Sequence, residues 1–461
     1  MLKIKKLFQD KGNFVPITFL LLAVSSLILM VSFVFIKDLY NIFPSFMPSG
    51  KILNLSTINS LNIRISNFLW PYCSIFFISF YLLPRLTGKT MYLYRFTTLV
   101  AMSTIVISIF APVNLNNKNS LFGLPVQLST LRLIFLIIFT ISILYSFLKK
   151  NEHSLFVSGY FLLSSLVFLL VGAYSITIEF KTNADIMILN SFFVSSQIYI
   201  GIGFATMSVI FYLATKGLGG ILESRPLSSI ALWGYLFLLP WAGFKHYYGT
   251  YIPNWLENTS TYMSLGLIIP LLAFLSNILK TIQSSENKSG LTYSYLSNSI
   301  FLFSIGNLLL ILSAVPSLLP LTSFTLWDSA ISLSFMLSFL SVLLSLYSYS
   351  IPKLLGREFV GNRVSYHLYK IGSIASIAAI SMSGIYSGYL WSAGANSGML
   401  TTFGEGYRIV WGVISPLLSI QTIGSMLILF SCLVFFIDAL RSITSGSIVP
   451  QEVFKEVEKN E

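Results

Sequence analysis

The chain has 461 residues, of which 55% are hydrophobic and 10% charged, with a mean hydropathy of +0.80 and a formal net charge of +12. A soluble domain carries about 25% charged residues, so hydrocarbon is the solvent for most of this sequence, and the positive charge points to membrane topology and not to a nucleic-acid partner. Cys73 and Cys432 both sit in apolar segments, which argues against a disulfide framework or a zinc knuckle.

Apolar runs long enough to cross about 30 Å of hydrocarbon predict twelve spans, at 14–36, 65–83, 94–113, 127–147, 154–177, 187–214, 227–245, 260–280, 294–315, 325–350, 367–391 and 409–437. The first is too long for a signal-peptide core and lacks a small-residue cleavage pattern, so it reads as a retained span. The predicted fold is all-α and polytopic: residues 1–13 form an N-terminal segment, 14–440 one membrane domain, and 441–461 a charged, solvated tail ending QEVFKEVEKNE. Of the 28 Lys and Arg residues, 20 fall on the side of the N-terminus and 8 on the other. That asymmetry predicts both termini in the cytoplasm, and the expected location is the plasma membrane.

Three loops on the basic side echo one another. LLPRLTGKTMYLYR (82–95) follows span 2, SIPKLLGREFVGNR (350–363) follows span 10, and the weaker LATKGLGGILESR (213–225) follows span 6. The echoes lie four spans apart, which predicts three four-helix units.

Ionisable groups are costly inside a span, by about 2.5–3.5 kcal/mol at a helix centre on insertion scales, and so mark functional candidates. Here they gather at the outer ends: Lys245 and His246 close span 7, Asp328 opens span 10, Arg64 enters span 2, and Glu179, Lys181 and Glu257 lie in or beside outer loops. Snorkelling to water explains Arg64 and Lys181 well. Lys245, His246 and Asp328 stand instead beside Phe244 and Trp327. His153 and His367 fall on the opposite face, so the three histidines cannot converge on one metal.

Span 7 ends in WAGFKHYYGTYIPNW (241–255). With the twelve spans and the repeats, this stretch resembles subunit I of the heme–copper oxidases, in particular the cbb-type branch and the nitric oxide reductases. In that branch span 7 ends Trp-Ala-Gly-Pro-His-His, followed by aromatics and Thr-x-x-Pro. FYLLPRLTGKTMYLYRF, PKLLGREFVGNRVSYHLYKIGSI and GIYSGYLW are similar to the corresponding parts of spans 2, 10–11 and 11, and the similarity is collinear over about residues 55–395.

The resemblance implies two hemes and a copper or iron atom near the outer face, held by six histidines. It places those positions at Asn62, near Ser195, at Lys245 and His246, and at Asp328 and Ala330. The last two lie i and i+2 on one helix, about 200° apart, which in the family serves hemes on opposite faces. Only His246 is still a histidine, and span 9 lacks the branch's Tyr and Glu-Gly-Pro. Asn and Ser are poor heme ligands, Ala is none, and a protonated Lys cannot bind copper.

The expectation is therefore a member of the family architecture without the heme and metal sites, so with no cofactor or catalytic residue assigned. It would act as a non-catalytic membrane subunit or small-molecule scaffold among respiratory subunits in the lipid bilayer. An active oxidase or nitric oxide reductase with unorthodox heme ligation, and a transporter, are the alternatives. Because spans 7 and 10 face one another in the family, an ion pair between Lys245 and Asp328, direct or through water or His246, is expected to offset part of the cost of burial.

Overall fold

The computed structural model describes residues 14–42, 55–88, 91–110, 126–149, 156–178, 182–247, 249–250, 252–285, 288–397 and 403–445. The expected segment 1–13, the end of the tail from 446, His153, Glu179 and Lys181 lie outside them.

Eleven helices among the described residues are long and apolar enough to cross a membrane, and a shorter apolar one, Tyr94–Ile109, makes up the twelve. We number them α1 (Phe14–Ile42), α2 (Leu55–Arg64, Ile65–Leu69 and Trp70–Thr87 in succession), α3 (Tyr94–Phe110), α4 (Val126–Leu148), α5 (Val157–Ser175) and α6 (Asn183–Phe193 through Leu213–Gly217). The second half comprises α7 (Arg225–Leu238, continued by tight turns to Tyr247), α8 (Asn254–Gly266 and Ile268–Gln283), α9 (Leu291–Leu312), α10 (Trp327–Leu355), α11 (Arg363–Ser397) and α12 (Phe403–Ser445). Several helices outrun the apolar windows: α1 continues to Ile42, α2 begins at Leu55, and α12 spans Phe403–Ser445. An apolar window measures the hydrocarbon crossing, whereas backbone hydrogen bonds carry a helix on through polar turns.

The helices pack as sequential neighbours, α3 on α4, α7 on α8, α9 on α10 and α11 on α12, and α12 closes back on α1. Burial has a period of four helices. The membrane-crossing windows of α2, α6 and α10 are 83%, 94% and 78% buried, against 56% at most for the other spans. These three inner helices meet through aromatic pairs. Trp70 and Phe77 of α2 lie 5.3 and 5.4 Å from Phe339 and Tyr347 of α10, and Tyr199 of α6 lies 5.2 Å from Phe335.

Two of the echoing loops fold alike. Gly88 and Gly356 both end their helix in the left-handed conformation (φ 65° and 64°), each donating its N–H to the carbonyl of a proline four residues back, Pro84 at 3.0 Å and Pro352 at 2.8 Å. Glycine tolerates positive φ without a Cβ penalty, which accounts for the shared Pro-basic-x-x-Gly spelling.

With lipid outside, hydrophobicity does not drive one helix onto another; close approach and interhelical hydrogen bonds do. The α9–α10 contact is built this way. Ser299 and Ser338 donate to each other's backbone carbonyls at 2.8 and 2.7 Å, and Ser341 and Ser345 donate to those of Tyr295 and Thr292.

Candidate functional site

Residues of α1, α2, α6, α7, α10, α11 and α12 surround a cavity of about 460 Å³ at the end of the bundle that carries His246 and Asp328. Most of its wall is apolar, including Met30, Val194, Met336 and Ile428, and its polar groups cluster in two places.

One cluster is a hydrogen-bonded chain. His246 pairs through Nδ1 with the Asp328 carboxylate, and its Nε2 lies 3.0 Å from the Tyr199 hydroxyl. A carboxylate only accepts, so Nδ1 carries a proton, and Nε2 shares a hydrogen bond with the Tyr199 hydroxyl. Tyr199 belongs to a π-helical stretch of α6, Val194–Ile202. Such widened turns re-aim side chains and recur at functional sites.

The second cluster is Asp38 on α1 with Gln421 on α12, whose Nε2 donates to Asp38 Oδ1 at 3.1 Å. Asp38 Oδ2 has no partner; neither do Trp70 Nε1 and Ser376 Oγ, and all three residues line the cavity.

Lys245 turns the other way. Its N–H donates to Ser260 Oγ at 2.9 Å, and its ammonium reaches the Leu310 carbonyl and the Ser313 hydroxyl at the C-terminal end of α9. Trp327 Nε1 donates to the neighbouring Leu309 carbonyl at 3.1 Å. The last four carbonyls of a helix lack intrahelical donors and carry partial negative charge, so a cation there is well placed. The direct Lys245–Asp328 contact is accordingly not formed: the helix terminus satisfies the ammonium, and the adjacent His246 supplies the partner of Asp328.

This arrangement separates charge from hydrogen bonding at position 245. Lys245→Met keeps the stem volume, and Ser313 still donates to Leu310 at 3.0 Å, so the expected loss is about 1–3 kcal/mol. Lys245→Glu sets a buried negative charge against the same helix end and should cost about 3–5 kcal/mol. Thermal unfolding of the two variants in detergent checks this; equal midpoints would contradict the assignment of Lys245 to the α9 terminus.

The other positions singled out in sequence are dispersed. Asn62 lines the cavity from α2 and accepts from Ser66 at 3.0 Å. Ala330 is buried in α10. Ser195 is fully buried with its hydroxyl unpartnered, and Gly243 packs directly on it: a Cβ at 243 would collide with Ser195 Oγ and lie 2.5 Å from the Ser191 carbonyl. The Gly of Trp-Ala-Gly thus lets α7 touch α6. Glu257 is buried and accepts the Gly249 N–H at 2.9 Å. His367 is exposed beside Tyr366 near the start of α11.

Sequence reasoning missed Asp38, Tyr199 and Arg132. Asp38 was placed beyond span 1, but α1 carries it into the protein. Tyr199 gave no signal, since a tyrosine among apolar residues is ordinary. Arg132 should have stood out in LSTLRLIFL: it is buried in α4, its guanidinium 4.3 Å from the Phe68 ring centre, with Nε and Nη2 unpartnered.

The sequence profile described as cytochrome C and quinol oxidase polypeptide I matches residues 14–430. The chain belongs to this family. The Cbb3-type cytochrome c oxidase subunit CcoN1 of Stutzerimonas stutzeri is 23% identical over 202 residues, covering 42% of this chain and 43% of that relative. A solved heme-copper terminal oxidase dimer, determined by cryo-EM, has a chain that superposes with a TM-score of 0.73 at 12% identity, covering 95% of this chain and 85% of that one. The heme–copper oxidase resemblance is therefore established at the level of superfamily and fold.

Proposed function

We propose that this oxidase polypeptide I relative has exchanged the family's metal chemistry for binding a small amphiphilic molecule in the outer cavity. It serves as a non-catalytic membrane subunit or scaffold associated with respiratory electron transport, in the plasma membrane with both termini cytoplasmic.

The observation that carries this reading is the state of His246: both ring nitrogens are engaged by protein groups, Asp328 and Tyr199. Ligation needs a free imidazole lone pair, and here each ring nitrogen is taken up by a protein oxygen. The heme and copper groups that the family implies do not fit the remaining donors. Asn62 is a weak ligand and Ala330 none, the Lys245 ammonium is held by a helix terminus, and Ser195 lies against the backbone of Gly243. Among the described residues no three His, Cys, Asp or Glu side chains converge.

The cavity supports the binding half of the proposal. Its volume lies within the roughly 300–1,000 Å³ typical of small-molecule sites, and its mostly apolar wall with a few polar groups is their usual chemistry. Unpartnered polar atoms are expensive away from water. Asp38 Oδ2 calls for a donor and Trp70 Nε1 for an acceptor, so the occupant carries both on an apolar body.

Purified protein should give no stoichiometric pyridine-hemochrome band and no stoichiometric iron or copper by metal analysis. Organic extraction followed by mass spectrometry should release a co-purifying amphiphile. Stoichiometric iron bound by this polypeptide alone overturns the proposal.

A further inference from the structure

The face that α1 turns to the cavity ends in an acid. Met30, Val34 and Asp38 are spaced by four residues, so they share one side of the helix, and all three line the cavity. Gln421, Ser425 and Ile428 do the same on α12, which packs against α1 in the opposite direction. On both helices the polar residue stands at the same end of the cavity, and the apolar ones follow away from it. α12 also fixes the acid: Gln421 Nε2 donates to Asp38 Oδ1 at 3.1 Å, and Thr422 Oγ1 to the Asp38 backbone carbonyl at 3.4 Å. One carboxylate oxygen is thereby committed and the other left open.

Asp38 is 6% exposed, and its Oδ2 has no partner. The other carboxylate on the described wall, Asp328, is taken up by His246. Lys245 is committed to the end of α9 and supplies nothing here. Lys37 lines the cavity too, but as the next residue along the helix it branches about 100° away, and Oδ2 stays without a donor. A buried carboxylate among membrane helices is costly unless it is paired. A cation that also donates a hydrogen bond meets both the charge and the open oxygen.

We propose that the occupant of the cavity is a long-chain primary or secondary amine. Its ammonium donates to Asp38 Oδ2, and its apolar chain runs along Val34, Met30 and Ile428. This rests on the reading of the cavity as an amphiphile site and adds the charge of the occupant's polar end. The same oxygen excludes a quaternary ammonium, which has no N–H to give. A carboxyl that took up a proton instead would accept an alcohol as readily as an amine, so an alcohol of equal length is the discriminating probe.

The test is saturable binding of dodecylamine to the full-length protein in detergent, with dodecanol as the neutral probe. A hydrogen bond to a charged group contributes about ten- to a hundred-fold in affinity, and the wild type should prefer the amine by about that factor. Asp38→Asn keeps an acceptor for Gln421 and should lose the preference while binding dodecanol as before. Glu223→Gln, at the opposite end of α7 from His246, should change neither probe. Displacement of dodecylamine by phosphatidylethanolamine and not by phosphatidylcholine would support the proposal with a membrane lipid as the source of the ammonium; displacement by neither would support it with a free amine. Equal wild-type affinity for the two probes would overturn the ammonium and leave the amphiphile reading standing, and so would an equal loss of both probes in Asp38→Asn. A loss of amine binding in Glu223→Gln as large as in Asp38→Asn would mean general surface attraction and overturn the site. If neither probe binds saturably, the amphiphile reading itself falls and takes the ammonium with it.

Discussion

Gly388→Ala is expected to lower stability by about 3 kcal/mol, at the upper end of what one added methyl costs in a packed interior. Gly384 and Gly388 are four residues apart on α11, in the stretch GIYSGYLW. A Cβ at 384 would lie 2.5 Å from the Trp327 nitrogen, and one at 388 would overlap the Leu321 carbonyl. Both obstacles are backbone, so no rotamer change relieves them. Small residues at this spacing let one membrane helix approach another chain segment closely. Here they seat α11 on the turn that presents Asp328. Gly412→Ala on α12 is the control: nothing lies within 4 Å of its Cβ position, and alanine in an open helix position should gain up to about 1 kcal/mol. Thermal or denaturant unfolding in detergent distinguishes the two, and matching midpoints for Gly388→Ala and wild type would show that α11 does not rest on this turn.

The second large effect concerns the Tyr199–His246–Asp328 chain. Asp328→Leu leaves the His246 Nδ1–H without its charged acceptor, and a hydrogen bond to a charged group contributes about 1.5–3 kcal/mol. Tyr199→Phe removes the hydrogen bond at Nε2, for about 0.5–1.5 kcal/mol. Because one imidazole serves both neighbours, its polarisation couples them. The double variant should therefore fall short of the sum of the singles, with a coupling of about 0.5–3 kcal/mol. Additivity within about 0.5 kcal/mol would mean that the three groups act separately. Both variants also bear on the cavity, since all three residues line it: a co-purifying amphiphile should be depleted in each.

Much of the site was legible from residue types. Charged groups in an apolar chain are few, so Lys245, His246 and Asp328 stood out, and the family likeness placed spans 7 and 10 face to face. What composition could not supply was direction. Neighbours on a tight turn point to opposite sides, and whether Lys245 or His246 meets Asp328 depends on where the end of α9 lies, some 65 residues further along the chain. Asp38 and Gln421 are 383 residues apart, beyond any local pattern. The serine contacts between α9 and α10 were likewise invisible, because serine in a membrane helix can equally bond its own backbone.

The sequence by itself determined that the chain crosses a membrane about twelve times and that its few ionisable groups include Lys245, His246 and Asp328 at the ends of two spans. These follow from solvent transfer and from the chemistry of side chains, both local properties. Only the tertiary structure decided which inner helices meet, that His246 is bonded at both nitrogens, that Lys245 caps α9, and that Asp38 and Gln421 join His246 and Asp328 around one cavity. The reason is physical: hydrophobic burial in a bilayer selects helices without saying which face of each meets which neighbour, and that choice rests on glycine contacts, serine hydroxyls and helix termini brought together from distant parts of the chain.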